Sequence, residues 1–252
     1  LAYELRQTSS GVDVHLFRVS LADFELRVLE PGEGRSAATV SEMTQRAGAL
    51  LGVNGSFFLE DFRPLGLLVS QGREIQGLRK VDWGVFFVRE GRARLVHARD
   101  YQGSEGVDFA IEAGPRLVVD GALVKVKPQR ARRSMIGVDD QGRVLIAVTA
   151  TSVLLPEAAA FMRAIGARFA LNLDGGPSSQ LSVPGRGLRV ESFARVANGI
   201  GVFARRRPAP EPGAGPSGKI SPMTLPAAVP AAVPAAVPAA VPANLSNPPS
   251  GR

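Results

Sequence analysis

Near the start of the chain Val12, Val14 and Leu16 alternate with Asp13 and His15, and after a short break Phe24–Leu29 (FELRVL) alternates again. A period of two marks half-buried strands, so this opening predicts two strands in a hairpin-like arrangement. Apolar runs at 85–88, 95–97, 116–119, 135–138, 144–148 and 169–173 follow, most separated by Gly-containing turns such as REGRA, VDGAL and DDQGR. They read as further strands. Two stretches have other signals. In TVSEMTQRAGA, Thr39 and Glu42 have the spacing of a capping box before a short helix that stops at Gly48. In PEAAAFMRAIGA, Pro156 suits the first helical position, Ala158, Phe161, Met162 and Ile165 share a face, and Gly166 ends the element. Two main short helices among about ten strands predict an α+β fold with a mixed, strand-rich sheet architecture.

Periodicity fades after Phe203. Of the 19 prolines, 12 follow Ala204, no aromatic residue does, and residues 227–242 are four identical copies of AAVP. Proline at every fourth position removes helical donors and favours extended backbone, which gives a spacer without a core. The chain therefore divides into a folded domain at 1–204 and a disordered, low-complexity Pro/Ala-rich tail at 205–252. The 45% hydrophobic content of the 252 residues is ample for the domain's core.

Charge follows the same division. The formal net charge is +7, of which Arg205, Arg206, Arg207, Lys219 and Arg252 against Glu211 place +4 in the tail and leave +3 for the domain. The tail reads as a solvated basic arm, with contact to an anionic cell wall as the alternative. Nucleic acid is not expected, because the aromatic residues sit mostly in strand-like runs rather than among Lys and Arg. The absence of cysteine removes disulfides and thiolate chemistry. No apolar stretch has the about 20 residues of a transmembrane segment. Leu1 in the first position suggests a removed signal peptide, which makes a secreted, periplasmic or cell-envelope location the expectation.

Only His15 and His97 are present, both within strand-like alternation. Histidine-rich metal sites and Ser-His-Asp arrangements have little to build with, and GxSxG, GxxxxGK[ST] and GxGxxG do not occur. Chemistry falls to carboxylates, arginines, amides and hydroxyls. Three clusters supply them. In GVNGSFF, Asn54 and Gly55 end an apolar strand, either as a tight turn or with the Asn amide free for hydrogen bonds. In RARRSMIGVDDQGR, Arg133 enters an apolar strand, as a solvated turn or as a planar fork for a phosphate or carboxylate. In NLDGGPSSQL, an apolar strand delivers Asp174 to consecutive glycines and two serines, as an Asp-Gly turn or as a nucleophile, base or hydroxyl clamp beside donor groups.

In order and spacing these clusters resemble the phosphodiester glycosidase family, over most of residues 35–204. The blocks that carry the likeness are TVSEMTQRAGALLGVNGSFF, RPLGLLVSQGREI, AGPRLVVDGALV, RRSMIGVDDQGRVLIAV, IGARFALNLDGGPSSQL and RVANGIGVF. Ser56, Ser134 and Pro177 stand where the family's pattern has Gly, Thr and Gly, and TATSVLLPEAAAFM lacks its Gly-Met-Thr element. The resemblance implies a hydrolase that removes a sugar from a sugar-1-phosphodiester and leaves a phosphomonoester, on cell-wall or extracellular polysaccharide. It implies Asp174 as the main acidic group, with Glu112 as the second catalytic carboxylate. Asn54, Arg133, Asn172 and Asn198 would bind substrate oxygens, and Gly55, Gly175, Gly176, Ser178 and Ser179 would shape the site. No cofactor or metal is expected. A non-catalytic module that binds carbohydrate or phosphoglycan at the cell envelope is the alternative reading.

Overall fold

The computed structural model describes residues 1–205; apart from Arg205, the expected tail lies outside the described residues. These residues form nineteen strands, two α-helices and three short 3-10 helices. The first strands are β1 (Ala2–Gln7), β2 (Asp13–Val19) and β3 (Phe24–Leu29), followed by helix α1 (Val40–Ala47). Next come β4 (Leu51–Asn54), β5 (Leu68–Ser70), β6 (Arg73–Gln76), β7 (Gly84–Arg89), β8 (Arg92–His97), β9 (Val107–Ala113), β10 (Arg116–Val119), β11 (Ala122–Leu123) and β12 (Arg130–Ala131). The hairpin β13 (Ser134–Asp139) and β14 (Val144–Thr149) leads through β15 (Val153–Leu154) into helix α2 (Leu155–Ala164). The chain closes with β16 (Ala167–Asn172), β17 (Leu181–Val183), β18 (Leu188–Val190) and β19 (Gly199–Ala204). The fold is α+β and strand-rich.

The strands make a seven-stranded sheet in the order β1-β2-β14-β13-β16-β10-β11, a five-stranded sheet β18-β17-β4-β19-β3, a second five-stranded sheet β6-β5-β9-β7-β8 and the pair β12-β15. The expected hairpin between the first two alternating segments does not form. β2 pairs with β1 and β14, whereas β3 pairs with β19. The reason lies between them, where the Ser20 carbonyl accepts from the N–H groups of Asp23 and Phe24 and a turn hands the chain from one sheet to the next.

All three large sheets share one core. Phe17, Ile136, Ile146 and Leu171 come from the first, Val53, Leu181 and Ile200 from the second, and Phe86, Phe109 and Ile111 from the third. Each is essentially inaccessible to water, and burial of such a side chain stabilises by about 1.5–3 kcal/mol. The helices cover outer faces. Ala158, Ala159, Phe161 and Met162 of α2 pack on Leu117, Met135 and Leu145, and Val40 and Met43 of α1 pack on Leu29 and Phe203.

The helix signals resolve as the sequence indicates, except that α2 begins one residue before Pro156. Thr39 and Glu42 form a reciprocal capping box on α1, and Gly48 ends it in the left-handed conformation at φ 66°. In α2, Leu155 precedes Pro156, and Gly166 follows the helix with φ 93°.

Candidate active site

Between β16 and β17 the chain leaves the seven-stranded sheet and joins a five-stranded one. Residues 172–181, NLDGGPSSQL, make this crossing. Its first half is anchored: the Leu173 N–H donates to the Ser134 carbonyl, the Asp174 N–H to the Gly55 carbonyl, and the Gly176 N–H to the Arg132 carbonyl, at 2.9–3.0 Å. The crossing therefore gathers the C-terminal end of β4, the start of β13 and the segment before β19 around Asp174.

Asn54 holds this junction together. Its side chain is buried, Nδ2 donates to the Asp174 carbonyl at 2.7 Å, and Oδ1 accepts from Ser134 Oγ at 2.6 Å and from the Gln180 N–H at 3.1 Å. Ser134, in place of the family's Thr, keeps the hydroxyl this bond needs. Gly55 allows the next approach. A Cβ there would overlap Asn198 Oδ1, which accepts from the Ser56 N–H at 2.8 Å and from Ser56 Oγ at 3.3 Å. Ser56 thus adds a second bond to Asn198 that glycine could not make.

Asp174 is half-buried, and Oδ1 accepts from the Gly175 N–H at 2.9 Å. Burial raises its carboxyl above the usual aspartate range, opposed by the Ser178 hydroxyl and the Gly175 N–H. Arg133 approaches the same glycine from another side: a Cβ on Gly175 would lie 3.5 Å from Arg133 Nη1. The Arg133 side chain is almost entirely buried, its Nη2 donates to the Gln129 carbonyl at 2.6 Å, and its Nε has no partner. Burial lowers its pKa from the ordinary arginine value, although a guanidinium stays charged. No carboxylate lies within ion-pair distance of it among the described residues.

Other buried polar atoms nearby are also without partners. Asn172 donates from Nδ2 to the carbonyls of Gly114 and Leu173, yet its Oδ1 has no donor. Ser179 Oγ and Asn198 Nδ2 are likewise unpaired. A buried polar group without a bond costs about 1–3 kcal/mol, so such a concentration has the character of a site left incomplete for a ligand.

Glu112 stands apart. It is completely buried on β9, and Oε2 accepts from the backbone N–H groups of Leu67 at 2.8 Å and Arg79 at 2.9 Å, while Oε1 has no partner. Burial raises its pKa, with the two N–H groups and the Arg79 charge opposing. Among the described residues it makes no hydrogen bond to Asp174, Arg133 or Asn54. Its link to them is through the chain, since Gly114, the residue after β9, accepts from Asn172 Nδ2.

The structure therefore brings together Asn54, Gly55, Arg133, Asn172, Asp174, Gly175, Gly176, Ser178, Ser179 and Asn198, while the hydrogen bonds of Glu112 go to Leu67 and Arg79 instead. Two supporting residues escape the sequence reading. Gln180 accepts from the Val40 N–H and donates to the Ala194 carbonyl, and Thr149 Oγ1 accepts from the Arg133 N–H at 2.8 Å. Their positions depend on distant strands, although the S-S-Q order after Asp174 marks Gln180 as a polar residue entering a strand. No group of three or more His, Asp or Glu side chains placed to hold a metal ion occurs among the described residues.

The sequence pattern of the phosphodiester glycosidase family matches residues 47–203, which contain every member of this cluster. The chain belongs to the phosphodiester glycosidase family. One curated relative, the uncharacterised protein YigE of Escherichia coli strain K12, is 22% identical over 156 residues. That match covers 56% of this chain and 61% of YigE, so the chain spans somewhat less than two thirds of that relative's length. Among solved structures, the catalytic domain of zebrafish N-acetylglucosamine-1-phosphodiester alpha-N-acetylglucosaminidase, auto-inhibited by its pro-peptide, has the same fold. The TM-score is 0.63 at 18% identity, with 82% of each chain covered. A protein of Burkholderia pseudomallei named as exported also shares it, with a TM-score of 0.58 at 17% identity, covering 77% of this chain and 74% of that one. The likeness to both structures is one of fold.

Proposed function

We propose that this member of the phosphodiester glycosidase family hydrolyses the glycosidic bond of a sugar-1-phosphodiester, with Asp174 and Arg133 dividing the work. The observation that carries the reading is their shared neighbour. Gly175 has the Asp174 carboxylate on its N–H and the Arg133 guanidinium beside its α-carbon, so a negative and a buried, unneutralised positive group flank one point. Cleavage of a sugar-1-phosphodiester requires that pairing. As the bond from the anomeric carbon to oxygen breaks, positive charge grows on the sugar and the electron pair leaves on the phosphate oxygen.

Asp174 faces the sugar, as nucleophile or as stabiliser of the oxocarbenium-like transition state. Arg133 faces the departing phosphate. A phosphate leaves with little protonation, so one carboxylate at the reacting centre suffices where an alcohol would call for a matched acid. Water completes the reaction at the anomeric carbon, giving free sugar and a phosphomonoester. Asn172 Oδ1 accepts from a sugar hydroxyl, Ser179 Oγ and Asn198 Nδ2 donate to sugar or phosphate oxygens, and Asn54 holds Asp174 in place. Glu112 supports the Gly66–Arg79 segment as a positioning residue.

Cell-wall or extracellular polysaccharide is the substrate source we favour, and an exported location accords with it. No helix among the described residues is long and apolar enough to cross a membrane. The test is hydrolysis of a panel of sugar-1-phosphodiesters in 18O-labelled water. Label in the released sugar, with an unlabelled phosphomonoester, is the expected result. Label in the phosphate means attack at phosphorus and contradicts the proposal, while tight binding without release of sugar favours a binding module.

A further inference from the structure

One well-formed cavity lies beside Asp174 rather than over it. It has a volume of about 410 Å³ and is lined in part by Ser41, Arg132, Gln180, Arg189, Glu191 and Phe193, within the range of small-molecule and saccharide sites. Asp174, Asn54 and Arg133 do not line it, yet two of its walls are their immediate supports. The Arg132 carbonyl receives the Gly176 N–H, and the Gln180 N–H donates to Asn54. Arg132 of the cavity wall is the immediate chain neighbour of Arg133.

The walls combine four features. Phe193 is fully exposed and is the only aromatic side chain lining the cavity, which makes it a face against which the apolar side of a sugar ring can lie. Arg189 pairs only loosely, at 3.5 Å, with Glu191, and both are well exposed, so an anion can exchange into that contact. Arg132 spends Nη1 on the Glu191 carbonyl, which fixes its guanidinium at the rim with other donors available. Gln180 is a rigid wall, since both ends of its amide are bonded to backbone.

We propose that this cavity is a subsite for the continuing chain of an anionic glycan whose phosphodiester-linked sugar sits at Asp174. The inference rests on the glycosidase reading and extends it: the substrate is polymeric, and the repeat next to the cleaved linkage carries a phosphate or carboxylate read by Arg189 and Arg132. Phe193 supplies stacking and the arginines supply charge selection.

The experiment separates this from the reaction itself. Binding of short oligomers of a glycosyl-phosphate polymer, a uronate polymer and a neutral glucan is measured on the full chain and on Phe193→Ala and Arg189→Ala, both at exposed positions. Binding of one or both anionic oligomers, weakened about tenfold by each substitution, with a salt-sensitive loss for Arg189→Ala, is expected. The anionic oligomer that binds identifies phosphate or carboxylate as the recognised group. In turnover, both variants should lose more on oligomers than on a monosaccharide phosphodiester. Undiminished anionic binding in both variants, or equal affinity for the neutral glucan, overturns the subsite. Absence of sugar release with the binding pattern intact counts against the glycosidase reading and leaves the anionic-glycan site standing.

Discussion

Asn54 Nδ2 donates to the carbonyl oxygen of Asp174 at 2.7 Å across 120 residues of sequence. The bond joins the end of a strand in one sheet to the loop leaving another, and it fixes the backbone from which the Asp174 carboxylate extends. Removal of the Asn54 side chain leaves the Asp174 carbonyl, the Ser134 hydroxyl and the Gln180 N–H without their partner.

For Asn54→Ala we expect a loss of about 3–5 kcal/mol in unfolding free energy, since each orphaned buried group costs about 1–3 kcal/mol. Ser134→Ala deletes one bond and should cost about 1–2 kcal/mol. Urea titrations with unchanged m values would measure both. Equal effects of the two substitutions would show that Asn54 is not the hub.

Glu112 gives a sharper contrast. Glu112→Gln retains an oxygen for the Leu67 and Arg79 N–H groups, whereas Glu112→Ala leaves both donors unpaired and opens a cavity. The alanine variant should lose about 3 kcal/mol or more, and the glutamine variant should fold normally and retain activity. A glutamine variant that folds yet abolishes sugar release, with a lost limb in its pH profile, would return Glu112 to direct proton transfer.

The raised pKa of Asp174 sets the sign of a pH effect. The folded protein holds this proton more tightly than the unfolded chain, so the stability contribution is full below the unfolded value and is lost as pH rises through the folded one. Asp174→Asn removes that loss. The variant should melt higher than the wild type at neutral pH, with the difference shrinking in acid, by calorimetry across pH. In the wild type the acidic limb of kcat/KM should lie above the usual aspartate range, because the reaction uses the ionised carboxylate.

Much of this was legible in the sequence. The capping box at Thr39 and Glu42, the stop at Gly48 and the strand FELRVL are local patterns, and each lies where its residues indicate. Pairing was less legible. The alternation of Val12–Leu16 and Phe24–Leu29 marks two strands but not their partners, which come from β1, β14 and β19. AYELRQ carries little apolar periodicity because β1 lies at a sheet edge with no fully buried residue. The order of the Asn54, Arg133 and Asp174 blocks pointed to the cluster. Its internal wiring did not follow, since the Asn54 amide serves three protein partners rather than standing free, and Glu112 is sealed beneath a loop. Both outcomes depend on neighbours distant in the chain.

The central claim is that Asp174 acts on the sugar while Arg133 receives the phosphate. Its most direct measurement is the rate of sugar release from a sugar-1-phosphodiester by Asp174→Asn, alongside direct binding of the same compound. The account predicts a fall in kcat of about a hundred- to ten-thousandfold with binding preserved. Release at the wild-type rate by the folded variant would contradict it.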